Sequence, residues 1–573
     1  MALGILDDRK LPHVPGTVRL DGDRQDESHC STPLDEQLKY DTSGPVPVIL
    51  VPQPSNDPND PLNWPLWRRD VILLILSTVS VIASTLSPLL AANTITLSLY
   101  LRRTFTDTAL LTGYHLCGVG VAGLLFTASA RVWGKRHLYL LGTVLLIVSG
   151  AWGGASGHSY KSLLWARIIQ GVALAPFEGL VNASVGDLYF VHERGKRMAL
   201  SNLCLFGGAF FTPVIVGKMT HSIGWQWTFY FIAIFSAALL PFVIFFVPET
   251  AYRRAAHLNT DFFANGKSLK DHENQTTSVR HDINGDELLC ISHDTDGSGS
   301  AEKQPGDAEV GSVDQTAPPL KVSFAKSLLP FNGRKTDESF FKLLLRPLPL
   351  FFHPAIFWGC LIQGTLIGWT VLIGVVLAAI FLGPPLFFTE VKTGYMYTGA
   401  FIGAVLGFLL AGLLADYSAR LMTRRNKGVY EPEFRIVLVI PQLALGAAGL
   451  YGFGIVGADV EKYGWFWPEF FFALEVMGMV LGAVASALYI VDAHRDISVE
   501  AFTCMLVFKN MFSFGLTWGA YDWLRDIGIR KLFYIVASIQ VGVCLLSIPM
   551  YILGKRNRSF FYRHDILKGT HLS

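Results

Sequence analysis

From residue 70 onward the chain alternates between long apolar runs and short polar turns. The runs lie at 70–92, 109–130, 138–156, 163–187, 200–220, 226–247, 354–383, 396–416, 434–456, 466–491, 499–520 and 532–553. Each supplies about 20 mainly apolar residues, the length an α-helix needs to cross a hydrocarbon layer of about 30 Å. Lipid offers no water to backbone N–H and C=O groups, so such a run closes its hydrogen bonds within itself as a helix. The pattern predicts an all-α polytopic membrane protein with twelve transmembrane helices. Between the sixth and seventh runs lies a stretch, 248–350, dense in Asp, Asn, Ser, Gly, His and Lys. That is the composition of a polar linker loop. It divides the spans into two six-helix bundles, 70–247 and 351–553. Residues 1–69, rich in Pro, Asp and Ser without a helical period, predict a disordered tail, and 554–573 a short second one. The first tail ends in DPNDPLNWPLWRRD (57–70), where Asp and Pro suited to starting a helix precede Trp64, Trp67, Arg68 and Arg69, a mixture that favours the membrane interface.

Composition agrees with the pattern. Of 573 residues 51% are hydrophobic and only 16% charged, with a mean hydropathy of +0.39. A soluble domain carries about 25% charged residues. A net charge of +2 gives no basis for binding nucleic acid, because the basic residues sit in short clusters between the runs. Those clusters set an orientation, since Lys and Arg concentrate in cytosolic loops. Arg68/Arg69, Arg131/Lys135/Arg136, Arg194/Lys196/Arg197, the five cations between 420 and 435, and Lys555/Arg556/Arg558 all fall on one side. Arg102/Arg103 and Arg525/Arg530/Lys531 on the other side run against the rule. The sum places both termini and the 248–350 loop in the cytosol, with the plasma membrane the expected location and the vacuolar membrane the alternative. Seven scattered cysteines without a C-x-x-C pair suggest neither disulfides nor zinc. No metal or cofactor constellation, nucleophile cluster or phosphate-binding G-x-x-x-x-G-K-[ST] loop stands out, so neither an enzyme nor an ATP-driven pump is expected.

Polar groups inside the runs carry the candidate chemistry. The fourth run holds Arg167, Gln170, Glu178 and Asn182. Placing an ionisable group there costs about 2.5–3.5 kcal/mol on insertion scales, so each needs a partner or a function. Arg167 and Glu178 are eleven positions apart, which at about 100° per residue returns to within roughly 20° of one helix face. Asn182 continues that face. The two charges are separated by about 16 Å along the axis, so they do not pair. Glu178, deep in the span behind Pro176, is the candidate to exchange protons, with Arg167 tuning it and Glu475 in the tenth run as a second candidate. Lys509 in the eleventh run requires an acid or backbone carbonyls. Asn93, Gln363 and Trp369 join Gln170, Asn182 and Lys509 as candidates for the substrate cavity.

A weak internal repeat links the halves. Thr112-Gly113-Tyr114 opens the second run and Thr393-Gly394-Tyr395 the eighth. Local signatures then agree on a family. LLWARIIQGVALA (163–175) resembles the fourth-span motif of the major facilitator superfamily, and GLLAD (412–416, with Gly412 and Asp416) its loop signature after span eight. The counterpart after span two, SARVWGKR, keeps Gly134, Lys135 and Arg136 but has Arg131 where the motif places Asp. GAFFTPVIVG (Gly208 to Gly217, around Pro213) resembles the antiporter motif that bends span five, departing from it at Thr212 and Val216. DPNDPLNW (57–64), DLYFVHERG (187–195), VPET (247–250), RRNKGVYEPE (424–433) and KNMFSFG (509–515) resemble the fungal twelve-span drug:proton-antiporter-like branch, over roughly residues 57–560.

The resemblance implies a secondary active transporter working by alternating access, whose cavity is lined by spans one, four, seven and ten. It implies proton-coupled efflux of a drug or secondary metabolite. The alternatives are a proton-coupled importer of a cationic metabolite such as a polyamine, or a transceptor that signals without transport. A monomer in the bilayer, with a small molecule and protons as its partners and no cofactor, is the working expectation. Asp187, Glu193, Arg194 and Arg197 are expected to form a cytosolic charge cluster closing the inner gate.

Overall fold

The computed structural model describes residues 3–8, 10–11, 14–19, 39–41, 48–50, 52–254, 321–564, 566–570 and 572. Among them, eleven helical segments are long and apolar enough to cross a membrane: Phe105–Trp133, Arg136–Gly154, Tyr160–Leu188, Arg197–Ile223, Trp225–Phe246, Pro354–Leu382, Glu390–Arg425, Pro432–Ala458, Phe466–Ala493, Ser498–Ile527 and Ile529–Arg563. A further helix, Leu66–Ser84, precedes them and carries Arg68, Arg69 and Asp70 near its start. Counting it as span 1, the twelve helices overlap the twelve apolar runs one for one. The first run was expected to continue to residue 92, but its helix stops at Ser84 and a short helix, Thr94–Leu101, follows. Pro88 accounts for the break, because it removes a backbone donor and disfavours helical geometry at the residue before it.

Alternation of direction brings the described terminal residues, both described ends of the 248–350 segment and every other even-to-odd connection to one face, hereafter the terminal face. Spans 2 and 4, 3 and 4, 3 and 6, and 1 and 5 pack together in the first half; spans 8 and 10, 9 and 10, 9 and 12, and 7 and 11 repeat those pairings in the second. The halves meet along two seams, span 2 on span 11 and span 5 on span 8, which are equivalent under the same repeat. One large apolar cluster is built from residues 72–247, and two more from residues 350–567. Large apolar side chains such as Leu74, Val148, Phe235 and Leu409 remain exposed on the outside, as expected of helices whose outer faces meet lipid rather than water.

Three boundaries need correction. The described parts of 1–69 are ordered. Val18–Arg19 pairs antiparallel with Val429–Tyr430, Leu6 N donates to Ile552 O at 3.0 Å, and Thr17 Oγ1 donates to Glu431 Oε2 at 2.7 Å. Asp60, fully buried, caps the turn Pro61–Asn63 and takes a two-pronged bond from Arg254 at 2.7 and 3.1 Å. Burial alone would raise that carboxyl, but the Arg254 fork and the Ser55 and Leu62 amides outweigh it and hold it below the usual carboxylate range. The linker is likewise ordered at both ends: Glu249 caps span 3, and Phe340–Leu345 packs with Phe340 against Trp133. Its centre, 255–320, lies outside the described residues. The last helix runs on to Arg563 instead of ending at 553, because Arg558 is buried against Glu431 and Glu433 at 2.8–3.0 Å. Polarity had suggested solvated tails; paired charges and a short strand bond fasten them instead.

Candidate functional site

Span 4 is where the polar side chains of the first half converge. Its helix Tyr160–Gly179 holds Pro176, breaks after Gly179, and resumes as Val181–Leu188. Pro176 frees a carbonyl and crowds the turn before it, while Gly179, a poor helix former, stands where the first segment ends. Above the break, Arg167 is fully buried. Its Nη1 donates to Leu86 O at 2.8 Å and to Gln170 Oε1 at 3.0 Å, and its Nε to Leu111 O at 3.3 Å. Gln170 in turn donates to Ser149 O at 3.1 Å. The pair ties span 4 to spans 2 and 3 and to the carbonyl left open just past the end of span 1.

Below it, Glu178 faces a cavity of about 1220 Å³, counting the part open to solvent, at the junction of the two halves. Spans 1, 2, 4, 5, 7, 8, 10 and 11 line it, so the expected set of four is half of the wall. Five aromatic rings contribute: Phe206, Phe210, Tyr397, Phe472 and Tyr521. Among the described residues the lining contains one acidic and one basic side chain, Glu178 and Lys509, and they form an ion pair. Both side chains are nearly buried, 12% and 8% exposed, and the pair joins span 4 in the first half to span 11 in the second. With little water to screen it, such a pair is a strong tie while both groups are charged, and breaking it leaves an uncompensated charge.

The remaining candidates lie elsewhere. Arg167 and Gln170 are outside the lining, so the face they share with Glu178 on an ideal helix is not a shared environment. Asn182 lies beyond the break, where it donates to Asn202 Oδ1 at 2.7 Å and accepts from Ser201, both on span 5. Asn93 is buried against Thr220 at 3.4 Å. Gln363 is half-buried on span 7 outside the lining. Trp369 is buried with its Nε1 donating to Gln540 Oε1 at 3.1 Å. Glu475 is fully buried on span 10 behind Thr370, which does line the cavity. The aromatic wall and Thr370 were not singled out in the sequence; nothing distinguishes them there from ordinary packing residues.

Motif residues at the terminal face divide into clamps and a crossing. Lys135 pairs with Asp187 at 2.6 Å, Arg69 with Glu193 at 3.2 Å and Arg197 with Asp70 at 3.0 Å. Arg194 donates to Tyr189 O and Gly186 O. Among the described residues each of these partners lies in the first half, so these bonds staple that bundle together. Gly134 takes a positive φ of 90°, and a Cβ there would collide with the Glu249 carboxylate, which accepts from the Lys135 and Arg136 amides. Arg136 is buried and donates to Ile244 O, Val247 O and Leu328 O. The bond between halves is made by Arg131, the residue standing where the motif has Asp: it grips Glu500 of span 11 at 2.5 and 3.2 Å. Gly412 and Asp416 are exposed, with no hydrogen bond or ion pair for Asp416 among the described residues; Asp492 occupies the acidic role there, paired with Arg435 at 3.1 Å. In span 5, Gly208 packs on Ser84 and Val81 of span 1, while Pro213 and Gly217 abut Gly394 and Glu390 of span 8. On the face away from the termini, Thr96 Oγ1 donates to Glu390 Oε1 at 2.6 Å across the halves.

A two-bundle helical fold of repeated pairings around a central cavity is the architecture of a membrane transporter. The sequence model of the Major Facilitator Superfamily matches residues 72–502, and the chain belongs to that superfamily. It is 25% identical over 575 residues to Protein HOL1 of Saccharomyces cerevisiae, covering 95% of this chain and 95% of that protein. It is 27% identical over 188 residues to the MFS antiporter QDR3 of Candida albicans, covering 32% of this chain and 26% of that protein. In fold it resembles the crystal structure of a D-xylose-proton symporter, with a TM-score of 0.55 and 13% identity over 85% of this chain and 99% of that one. The protein is thus a multi-pass membrane transporter and not an enzyme.

Proposed function

We propose that the chain is a proton-coupled antiporter that expels an amphiphilic organic cation, of the drug or secondary-metabolite class, from the cytosol. The observation that carries this reading is the Glu178–Lys509 pair: the cavity lining offers a single carboxylate. A proton, the Lys509 ammonium and a substrate cation compete for it, and a carboxylate that holds one of them is closed to the others. Mutually exclusive binding of proton and substrate at one group is the thermodynamic basis of exchange. The aromatic wall suits the apolar part of such a molecule and favours a cation near ring faces. Protonating Glu178 releases Lys509, which unties span 4 from span 11 and lets the halves rock. The loop charges support cytosolic termini, and the plasma membrane is the location we assign. Relatives' names include both an antiporter and a symporter, so direction is the property to test. In proteoliposomes containing the full chain and a rhodamine-type cationic dye, a pH gradient acid on one side should drive dye uphill toward that side. Dye moving uphill in the same direction as the protons would reject exchange and favour import of a cationic metabolite.

A further inference from the structure

Glu475 sits in the middle of span 10 with none of its surface exposed. Its two oxygens lie 2.9 and 3.0 Å from one atom, Thr370 Oγ1 on span 7. That hydroxyl is also 2.9 Å from Leu366 O, one turn back in its own helix, and 3.4 Å from Met479 Sδ. A hydroxyl has one proton to give, and a carbonyl oxygen only accepts. When Thr370 gives its proton to Leu366, the usual habit of a helical threonine, the contact with Glu475 must draw its proton from the carboxyl.

The surroundings press in the same direction. The span 7 helix Pro354–Leu382 and the span 9 helix Val439–Ala458 both pack on span 10 and contain no Asp, Glu, Lys, Arg or His. The span 8 helix Thr398–Arg425 carries Asp416, Arg420, Arg424 and Arg425 toward its terminal-face end, beside Glu433 and Arg435 of Pro432–Leu438. On span 10 itself, Glu469 lies toward the opposite face, bonded to Gly399 N. Lys509 of span 11 is taken by Glu178. Among the described residues an ionised Glu475 would have one shared hydroxyl and no paired cation to offset its burial, which favours the acid form.

We propose that Glu475 is a second proton-binding site of this carrier, loaded in this conformation and reached from the central cavity through the hydroxyl of Thr370. Thr370 lines the cavity and Glu475 does not. Release is a relay: Thr370 turns from Leu366 O, its proton passes to a cavity water, and the Glu475 proton moves onto Thr370 Oγ1, leaving a carboxylate. The reverse sequence reloads it. Protonation of Glu178 frees Lys509, the one ammonium in the cavity lining, to offset that carboxylate, so the two carboxyls change charge in opposition. This extends the proton-coupled reading above, yet its test does not depend on flux. Infrared spectra of the full chain in phosphatidylcholine vesicles at neutral pH should contain the C=O stretch of a protonated, buried carboxyl. Glu475→Gln should remove that band; Glu178→Gln should weaken it, because Lys509 is then free to offset the carboxylate, and adding Lys509→Met to Glu178→Gln should restore it. Thr370→Val should move it to higher frequency, because the carboxyl loses its hydroxyl partner, and slow its exchange with deuterium by roughly an order of magnitude. A spectrum from which Glu475→Gln removes no such band overturns the proton site. Exchange in Thr370→Val as fast as in the parent overturns the route through the hydroxyl. Failure of the dye assay with an intact band would instead count against antiport alone.

Discussion

Arg167 gives three hydrogen bonds to the protein itself, through Nε and Nη1, while its Nη2 is buried without a partner among the described residues. Two backbone carbonyls and Gln170 accept from it, in a site with no exposure. Arg167→Ala should therefore act on stability before it acts on coupling. It leaves buried acceptors unpaired, which costs about 2–4 kcal/mol. Arg167→Lys should be milder, keeping the charge but losing the planar fork. Thermal unfolding in detergent, read beside membrane yield, checks the order parent, Lys, Ala; an Ala variant as stable as the parent would return Arg167 to the list of coupling residues. The sequence shows that a charged residue at this depth needs partners, but not which. Lys509 was more legible than it seemed. At mid-depth the spans of the second half offer it Glu475 and those of the first Glu178, so an acidic partner was one of these two, with backbone carbonyls as the alternative. Helical angle within span 4 could not choose between them, since it says nothing of where span 11 lies, and the wheel fails for Asn182, which stands past the break after Gly179.

Among the elements, the two seams explain the Thr-Gly-Tyr repeat. Gly113 lies where span 2 crosses Phe514 and Thr517 of span 11, and Gly394 where span 8 crosses Pro213 of span 5. A Cβ at Gly394 would come within 2.5 Å of Pro213 O, closer than carbon and oxygen can approach. Gly394→Val and Gly113→Val should each hold open the face away from the termini and sharply reduce turnover, whereas Gly412→Ala, with open space around it, should be silent. Accessibility of a cysteine placed at Ser87 to a membrane-impermeant reagent reads the difference; equal labelling in all three would contradict it. At the terminal face the latch has reversed sign relative to the superfamily motif. Arg131→Asp, which restores the motif residue, sets a carboxylate against Glu500 and should shift the protein toward the state open at that face. Cross-linking of cysteines at Thr127 and Thr503 should fall several-fold; unchanged cross-linking would mean the Arg131–Glu500 contact does not hold the halves together. Span number and limits were readable from apolar run length. Sign reversal was visible as a departure from the motif, but its partner on span 11, hundreds of residues away, was not.

Viewed whole, the molecule is two bundles with repeated pairings, fastened at the terminal face by segments that composition marks as solvated. Polarity does not distinguish a free tail from one whose charges are paired, which is why the strand at Val18–Arg19 and the buried Arg558 network escaped the sequence. The central segment has an unexpected geometry at its roots. Arg254 bonds Asp60, and Val322 N donates to Asn59 Oδ1 at 2.8 Å, so adjacent residues hold both ends of the intervening chain. Replacing 262–318 by a short Gly/Ser linker should leave melting temperature and dye flux close to those of the parent, since closing so small a gap costs little entropy. Loss of flux in a folded, correctly inserted deletion would assign that segment a role in transport.

The account rests on one carboxylate serving proton and substrate in turn, and proton release on binding measures it directly. Titrate the cationic dye into purified protein in weakly buffered detergent with a pH indicator, at a series of starting pH values. The parent should release protons as the dye binds, to an extent that varies with the starting pH. Glu178→Gln should bind the dye weakly and release none. Dye binding by the parent without proton release, or release by Glu178→Gln equal to the parent's, would contradict exchange at Glu178.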